Sequence, residues 1–258
     1  MSTIINKCDF SYFIAITAPE AAPREYRTLC DWGNWVFPFD DMFDNGDLRN
    51  KPTTAAAVLQ SLLSPMSRPQ NGQEMNVSRR DRLPIIKGSP EGVQRRFANA
   101  MADYCAGVLM QVEDLSTHAL IPPEKMLERR QLSAGVSPLF SLVEYAHALR
   151  VPDYVFEHPS IQEIEQLGID FVLITNDILS YMKEENEAVP HNMVAVVRMS
   201  GLGAQEAFDY IGDMLDSRYE RWEKAVSEVP DWGEDVNKDV KRYIQGVADV
   251  VRANLYWR

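Results

Sequence analysis

Basic residues are in short supply: 26 lysines and arginines stand against 38 aspartates and glutamates, for a formal charge of −12. Phosphate backbones attract basic surfaces, so this balance argues against a nucleic-acid partner, and an anionic substrate would first need metal ions to reverse the local field. Cysteine is scarce as well. Cys8, Cys30 and Cys105 are odd in number, widely separated and in no CxxC or Cys/His spacing, which predicts reduced, mostly buried thiols in a cytoplasmic protein. The four histidines form no metal spacing and are read as structural or exposed. No segment approaches the roughly 20 uninterrupted apolar residues of a spanning helix, so no membrane partner is expected. Met1 to Lys7 lacks a basic stretch followed by an apolar run, and no secretion signal is expected. Internal repeats, low-complexity tracts and persuasive runs of alternating apolar residues are also missing, which leaves little room for a sheet.

What remains is helix. With 258 residues, 45% hydrophobic and 25% charged, the chain can bury one large core, and a single domain over 1–258 is expected. Pro23 is placed as the first residue of a helix whose apolar positions run from Tyr26 to Val36, with Pro38 kinking or breaking it and Asn45-Gly46 ending it. Further helices are predicted over 53–63, from Glu91 to about 113, from Pro122 to about 149, from Pro159 to about 185, and over 190–198, 203–226 and 235–257. Residues 66–91 are punctuated by proline, glycine and asparagine and read as a long surface loop leading to a helix start at Ser89-Pro90-Glu91. In the helix from Pro159, Gly168 is expected to allow a close crossing.

Two acidic patches carry the chemistry. Residues four apart share one face of a helix, so Asp40 and Asp44 form one oxygen cluster, while Asn176, Ser180 and Glu184 form another. Oxygen-only ligands of mixed charge suit Mg²⁺, which takes few protein carboxylates and fills its shell with waters and substrate phosphate oxygens. The stripe Ile164, Leu167, Phe171, Val172 and Ile174 puts the second cluster at the rim of an apolar cavity, a layout fit for a greasy substrate with an anionic head. Between the two patches, the helix from Pro122 is interrupted at Ser133-Ala134-Gly135. Such a break frees backbone carbonyls, and Arg130 just before it can form bidentate hydrogen bonds to a phosphate.

These segments resemble the fungal class I terpene synthases, chiefly sesquiterpene cyclases, over nearly the whole chain. The resemblance rests on Lys7-Cys8-Asp9-Phe10, on Cys30 to Phe39 running into the aspartates, on the break from Arg130 to Pro138, and on Asn176 to Glu184, which matches the family's (N/D)DxxSxxKE pattern in full. It implies an all-α fold, the class I terpenoid synthase helical bundle around a central apolar cavity. It assigns Asp40 and Asp44 to a first pair of Mg²⁺ ions, Asp41 to charge balance, and Asn176, Ser180 and Glu184 to the remaining ion of three. Arg130 resembles the arginine that senses diphosphate, Ser133 and Ala134 the linker and effector of the break, and Lys183 a lysine that contacts diphosphate. Phe37 is read as an aromatic wall for a cation, with core packing as its other reading, and Asn176 as a further substrate contact.

The implied reaction is ionisation and cyclisation of a linear prenyl diphosphate, farnesyl diphosphate first among them, by a protein that forms a homodimer. The alternative is a truncated, weakly active or inactive homologue that binds Mg²⁺ and diphosphate without cyclising. The chain departs from the family's usual pattern in two places. Only 39 residues precede Asp40, and after Asn254-Leu255-Tyr256-Trp257 the chain stops at Arg258, short of the family's Arg-Tyr dyad. Arg218-Tyr219 and Arg242-Tyr243 fall too early to replace it and are read as surface or packing pairs. Glu144 and His147 have the Glu-x-x-His spacing of di-iron bundles, but those need two such motifs and the sequence supplies one.

Overall fold

Four helices begin on proline, whose fixed φ and missing N–H are harmless in a first turn: Pro23–Asp44, Pro52–Leu63, Pro123–Ser133 and Pro159–Asn186. In chain order, among the described residues of this computed structural model (9–64, 86, 88–117, 122–186 and 192–257), there are eleven helices and no strand. They are α1 (Phe10–Thr17), α2 (Pro23–Asp44), α3 (Pro52–Leu63), α4 (Glu91–Thr117), α5 (Pro123–Ser133), α6 (Val136–Ala146), α7 (Asp153–Phe156), α8 (Pro159–Asn186), α9 (Met193–Met199), α10 (Ala204–Ser227) and α11 (Glu234–Tyr256). None of the described helices is long and apolar enough to cross a membrane.

Of the kink or break expected at Pro38, helix α2 shows no break and runs through to Asp44. Packing on both sides of the proline accounts for this. Phe37 stacks on Phe10 at 4.5 Å and meets Trp257 at 5.0 Å, while Phe39 stacks on Trp35 at 4.7 Å and meets Phe43 at 5.1 Å. Those contacts outweigh the lost backbone hydrogen bond. The Asn45-Gly46 end holds, because the Asp41 carbonyl accepts both N–H groups. The sequence pattern missed two helices, α1 and the single turn α7. Helix α1 has only eight residues; Asp9 caps it through the Tyr12 N–H at 3.2 Å, and Phe10, Phe13 and Ile14 are buried. Of the loop expected over 66–91, all but 86 and 88–91 lies outside the described residues, and Ile86 itself is fully buried. Lys7, Cys8, His118, Pro190, His191 and Arg258 also lie outside them, whereas Cys30 and Cys105 are buried free thiols.

Helix α8 is the hub, packing against α5, α6, α7, α9, α10 and α11. Gly168 does mark a close crossing: a Cβ there would stand 2.6 Å from Val247 Cγ1 of α11 and 3.0 Å from Phe140 Cζ of α6. Helix α1 lies between α2 and α11, so α11 is held on both sides.

Arginine and carboxylates knit α4 to α6 and α7 beside the N-terminal half of α8. Arg96 grips Glu144 through two hydrogen bonds of 2.9 and 2.6 Å, reaches Asp153 at 2.5 Å, and lies 3.9 Å over the Phe156 ring. Glu165 stands beside this network and accepts a short hydrogen bond from the Tyr243 hydroxyl. Burial pushes the Glu165 carboxyl up to about 7; the Tyr243 hydrogen bond and Arg96 pull it down and the Glu144 charge pushes it up. Its unfolded counterpart loses its proton near 4.5. Between those values the unfolded chain binds fewer protons than the folded one, so stability contributed by protonated Glu165 is complete below about pH 4.5 and is lost as pH rises through about 7. The loss amounts to about 3 kcal/mol once pH is above both values. Glu165→Gln, which keeps an acceptor for Tyr243, should match the wild type in urea midpoint at pH 5 and exceed it at pH 8. Parallel curves at both pH values would show that Glu165 does not titrate in this window.

Candidate active site

The last turn of α2 carries Asp40 and Asp44, the C-terminal half of α8 carries Asn176, Ser180 and Glu184, and the last turn of α5 brings Arg130 between them. Arg130 donates to Asp177 Oδ1 at 2.6 Å. Asp177 is fully buried and also accepts the Met193 N–H at 2.7 Å, which joins α5, α8 and the first residue of α9. Burial alone would lower the Arg130 pKa, but the charges of Asp177, Glu184, Asp44 and Asp40 reverse that and hold the guanidinium protonated. These charges come from both acidic patches, so residues of both lie near Arg130.

The carboxylates are not at ease. Burial pushes Asp40 well above the usual carboxylate range and the Asp44 charge adds to it, against the Tyr104 hydrogen bond and Arg130. Burial also raises Asp44; Arg130 and a hydrogen bond from Gln111 pull it down, while Asp41 and Glu184 push it up. A cation among these oxygens would relieve both burial and repulsion. Ser180 donates to the Asn176 carbonyl at 2.8 Å and lies 3.4 Å from its Oδ1, so these two side chains and Glu184 lie along one face of α8. Among the described residues no group of three or more His, Cys, Asp and Glu side chains could by itself hold an ion. The donor set fits a hard divalent metal that takes one or two carboxylates, neutral oxygens, water and substrate oxygens.

The helix break is present. Helix α5 ends at Ser133, Gly135 adopts φ 67°, a left-handed conformation open to glycine, and α6 restarts at Val136. Ser133 is buried and Ala134 half-buried. The break is seated on α4 at Gly107, where a Cβ would stand 2.6 Å from the Leu132 carbonyl carbon and the Ser133 nitrogen.

Other expected residues lie further from the carboxylates or have other partners. Lys183 is exposed on α8 one residue before Glu184, and Asp41 is exposed at the end of α2. Phe37 packs among Phe10, Phe13 and Trp257, on the side of α2 that meets α1 and the end of α11. Arg218 pairs with buried Asp170 at 2.6 Å, and Tyr243 bonds Glu165, so both Arg-Tyr pairs serve packing. Glu144 is bound by Arg96, and His147 bonds the Val143 carbonyl and Arg242. Four residues that touch the site had no role in the sequence reading: Tyr104, Gln111, Asp177 and Asn192. Asp177 was visible inside the motif, and Tyr104 and Gln111 are seven apart on one helix, but neither fact says what they face.

Helices alone, with two oxygen-rich faces turned toward one buried arginine beside a broken helix, define the class I terpenoid synthase fold. Solved structures share it. A germacradien-4-ol synthase from Streptomyces citricolor superposes with a TM-score of 0.82 at 20% identity, covering 100% of this chain and 85% of its own. A linalool/nerolidol synthase from Streptomyces clavuligerus gives 0.81 at 22%, covering 99% and 87%. In sequence, silphinene synthase peniA of Penicillium patulum is 35% identical over 271 residues, spanning 98% of this chain and 71% of the relative. The (+)-eremophilene synthase of Gibberella fujikuroi is 33% identical, spanning 98% and 73%. The terpene synthase family 2, C-terminal metal binding domain matches residues 31–221. The chain belongs to the terpene synthase family, and its matched domain is one that binds metal.

Proposed function

We propose that this protein is a Mg²⁺-dependent sesquiterpene cyclase that ionises farnesyl diphosphate, releases diphosphate and cyclises the cation to a terpene hydrocarbon or alcohol. The observation that carries this reading is the position of Arg130, buried with Asp40 and Asp44 of one helix and Asp177 and Glu184 of another as its charged neighbours. The names of the relatives, silphinene synthase and (+)-eremophilene synthase among them, support it. Magnesium, three ions on the pattern of the resemblance, would supply Lewis acidity and positive charge to the leaving diphosphate, held by Asp40 and Asp44 on one side and Asn176, Ser180 and Glu184 on the other.

Arg130 would donate to the diphosphate oxygens from a low-dielectric position, joined by Lys183, with Asn176 as a further contact. The allylic carbon–oxygen bond breaks and its electron pair leaves with diphosphate. The carbonyls freed at Ser133 and Ala134 would steady the resulting cation, whereas Phe37, stacked on Phe10 and against Trp257, belongs to the packing of α2, its other reading. Loss of a proton or capture of water ends the sequence. The same reading takes the chain as one catalytic domain in a cytoplasmic homodimer. Purified protein with Mg²⁺ and farnesyl diphosphate should release diphosphate together with a sesquiterpene detectable by gas chromatography. The reading fails if geranyl, farnesyl and geranylgeranyl diphosphates all remain intact.

A further inference from the structure

Carboxylates within this helical bundle take arginine or neutral side chains as hydrogen-bond partners. Asp170 bonds Arg218 at 2.6 Å, Glu144 bonds Arg96 at 2.6 Å and Asp177 bonds Arg130 at 2.6 Å, each an ion pair that joins helices. Asp40, Asp44 and Glu184, all half-buried, instead accept from neutral side chains, as Glu165 does from Tyr243, but unlike Glu165 they are charged neighbours of Arg130. The Tyr104 hydroxyl donates to Asp40 Oδ1 at 2.9 Å, the Gln111 amide to Asp44 Oδ1, and the Asn192 amide to Glu184 Oε2 at 2.9 Å. All three donors are uncharged and nearly sealed from solvent, with exposures of 1%, 6% and 0%.

Their own supports are firm. Tyr104 and Gln111 stand two turns apart on one face of α4, with Gly107 between them receiving the helix break. Asn192 also donates to the Asp177 carbonyl at 2.8 Å, and its Oδ1 caps α9 through the N–H groups of Val194 at 2.9 Å and Ala195 at 3.3 Å. An arginine hydrogen-bonded to Asp40, Asp44 or Glu184 would neutralise it and compete with a metal ion. A neutral donor fixes one oxygen, narrows the rotamers and leaves the negative charge intact.

We propose that Tyr104, Gln111 and Asn192 are positioning residues, neutral donors that hold Asp40, Asp44 and Glu184 in the orientation from which they bind metal. This rests on the reading of those three carboxylates as metal ligands. The test is Mn²⁺ affinity of the full chain in the presence of inorganic diphosphate, followed by electron paramagnetic resonance, together with the Mg²⁺ dependence of turnover. Tyr104→Phe and Gln111→Met remove a donor at nearly constant volume, and Asn192→Asp removes the donor while keeping an oxygen to cap α9. Each should weaken Mn²⁺ about 10- to 100-fold. Half-maximal turnover should move to correspondingly higher Mg²⁺, with kcat largely restored at saturating Mg²⁺ and the metal-free melting temperature changed by only a few degrees. Unchanged Mn²⁺ affinity alongside lowered melting temperatures would make the three donors ordinary packing groups and overturn the proposal. Asp40→Asn is the control: if it leaves Mn²⁺ affinity unchanged, the metal reading itself fails and takes the positioning role with it. A variant that does not fold leaves the decision to the other two, which sit on different carboxylates.

Discussion

Replacing Arg130 with methionine is expected to destabilise the protein by about 3–5 kcal/mol and to reduce diphosphate release by at least about 10²–10³-fold. The two losses have separate causes. The stability loss comes from Asp177, fully buried and 2.6 Å from the guanidinium, which keeps the Met193 N–H but loses this cation. The activity loss comes from the role of Arg130 as a buried charge in contact with the leaving group. Restoring the balance at Asp177 should therefore rescue one loss and not the other. The double variant Arg130→Met, Asp177→Leu should regain most of the urea midpoint, since an apolar pair of similar volume often equals a buried ion pair. It should remain as inactive as Arg130→Met alone. Arg130→Lys, which keeps the charge but not the planar fork, should fall between the two in both measurements. A single methionine variant as stable as the wild type would show that the Arg130–Asp177 pair is not what holds α5 to α8.

Most of the helices were legible because their signals are local. Prolines in first turns, the Asn45-Gly46 stop and the Ser133-Ala134-Gly135 interruption act within a few residues of themselves, and the structure places helix boundaries at or near them. Pro38 left a kink and a break both open for the complementary reason. Whether a proline ends a helix depends on what packs on either side, and the rings of Phe10 and Trp257 that meet Phe37 lie 27 and 220 residues away in sequence. Helix α1 escaped notice because eight residues give too short a period to read, and its stability derives from burial of Phe10, Phe13 and Ile14 against α2 and α11. The oxygen clusters on α2 and α8 could be read from i, i+4 spacing, but spacing cannot say that two helices more than a hundred residues apart face each other. That convergence was implied only by resemblance, and the charges around Arg130 display it. Asn192 lay furthest from reach: its link to Glu184 depends on where the chain returns after α8.

The same electrostatics set a second expectation. Glu184→Gln keeps the length of the side chain and an oxygen that can accept the Asn192 amide, so the hydrogen bond of 2.9 Å survives in outline. What it removes is a charge that pushes the Asp44 carboxyl up across the site. Without metal, the folded protein loses that repulsion but also the attraction between Glu184 and the Arg130 guanidinium, and its melting temperature should change by no more than a few degrees. With metal and farnesyl diphosphate the consequence is much larger. A carboxylate ligand is gone, and a loss of about 4 kcal/mol of transition-state stabilisation corresponds to about a thousandfold in diphosphate release. A group that adds little to the empty fold while carrying the reaction is retained for the reaction. Differential scanning fluorimetry of the metal-free protein and a diphosphate release assay, run on one preparation, measure both halves. If the variant melts well below the wild type, Glu184 is a structural carboxylate like Asp170; if it melts normally and still turns over at the wild-type rate, the α8 face does not hold the metal.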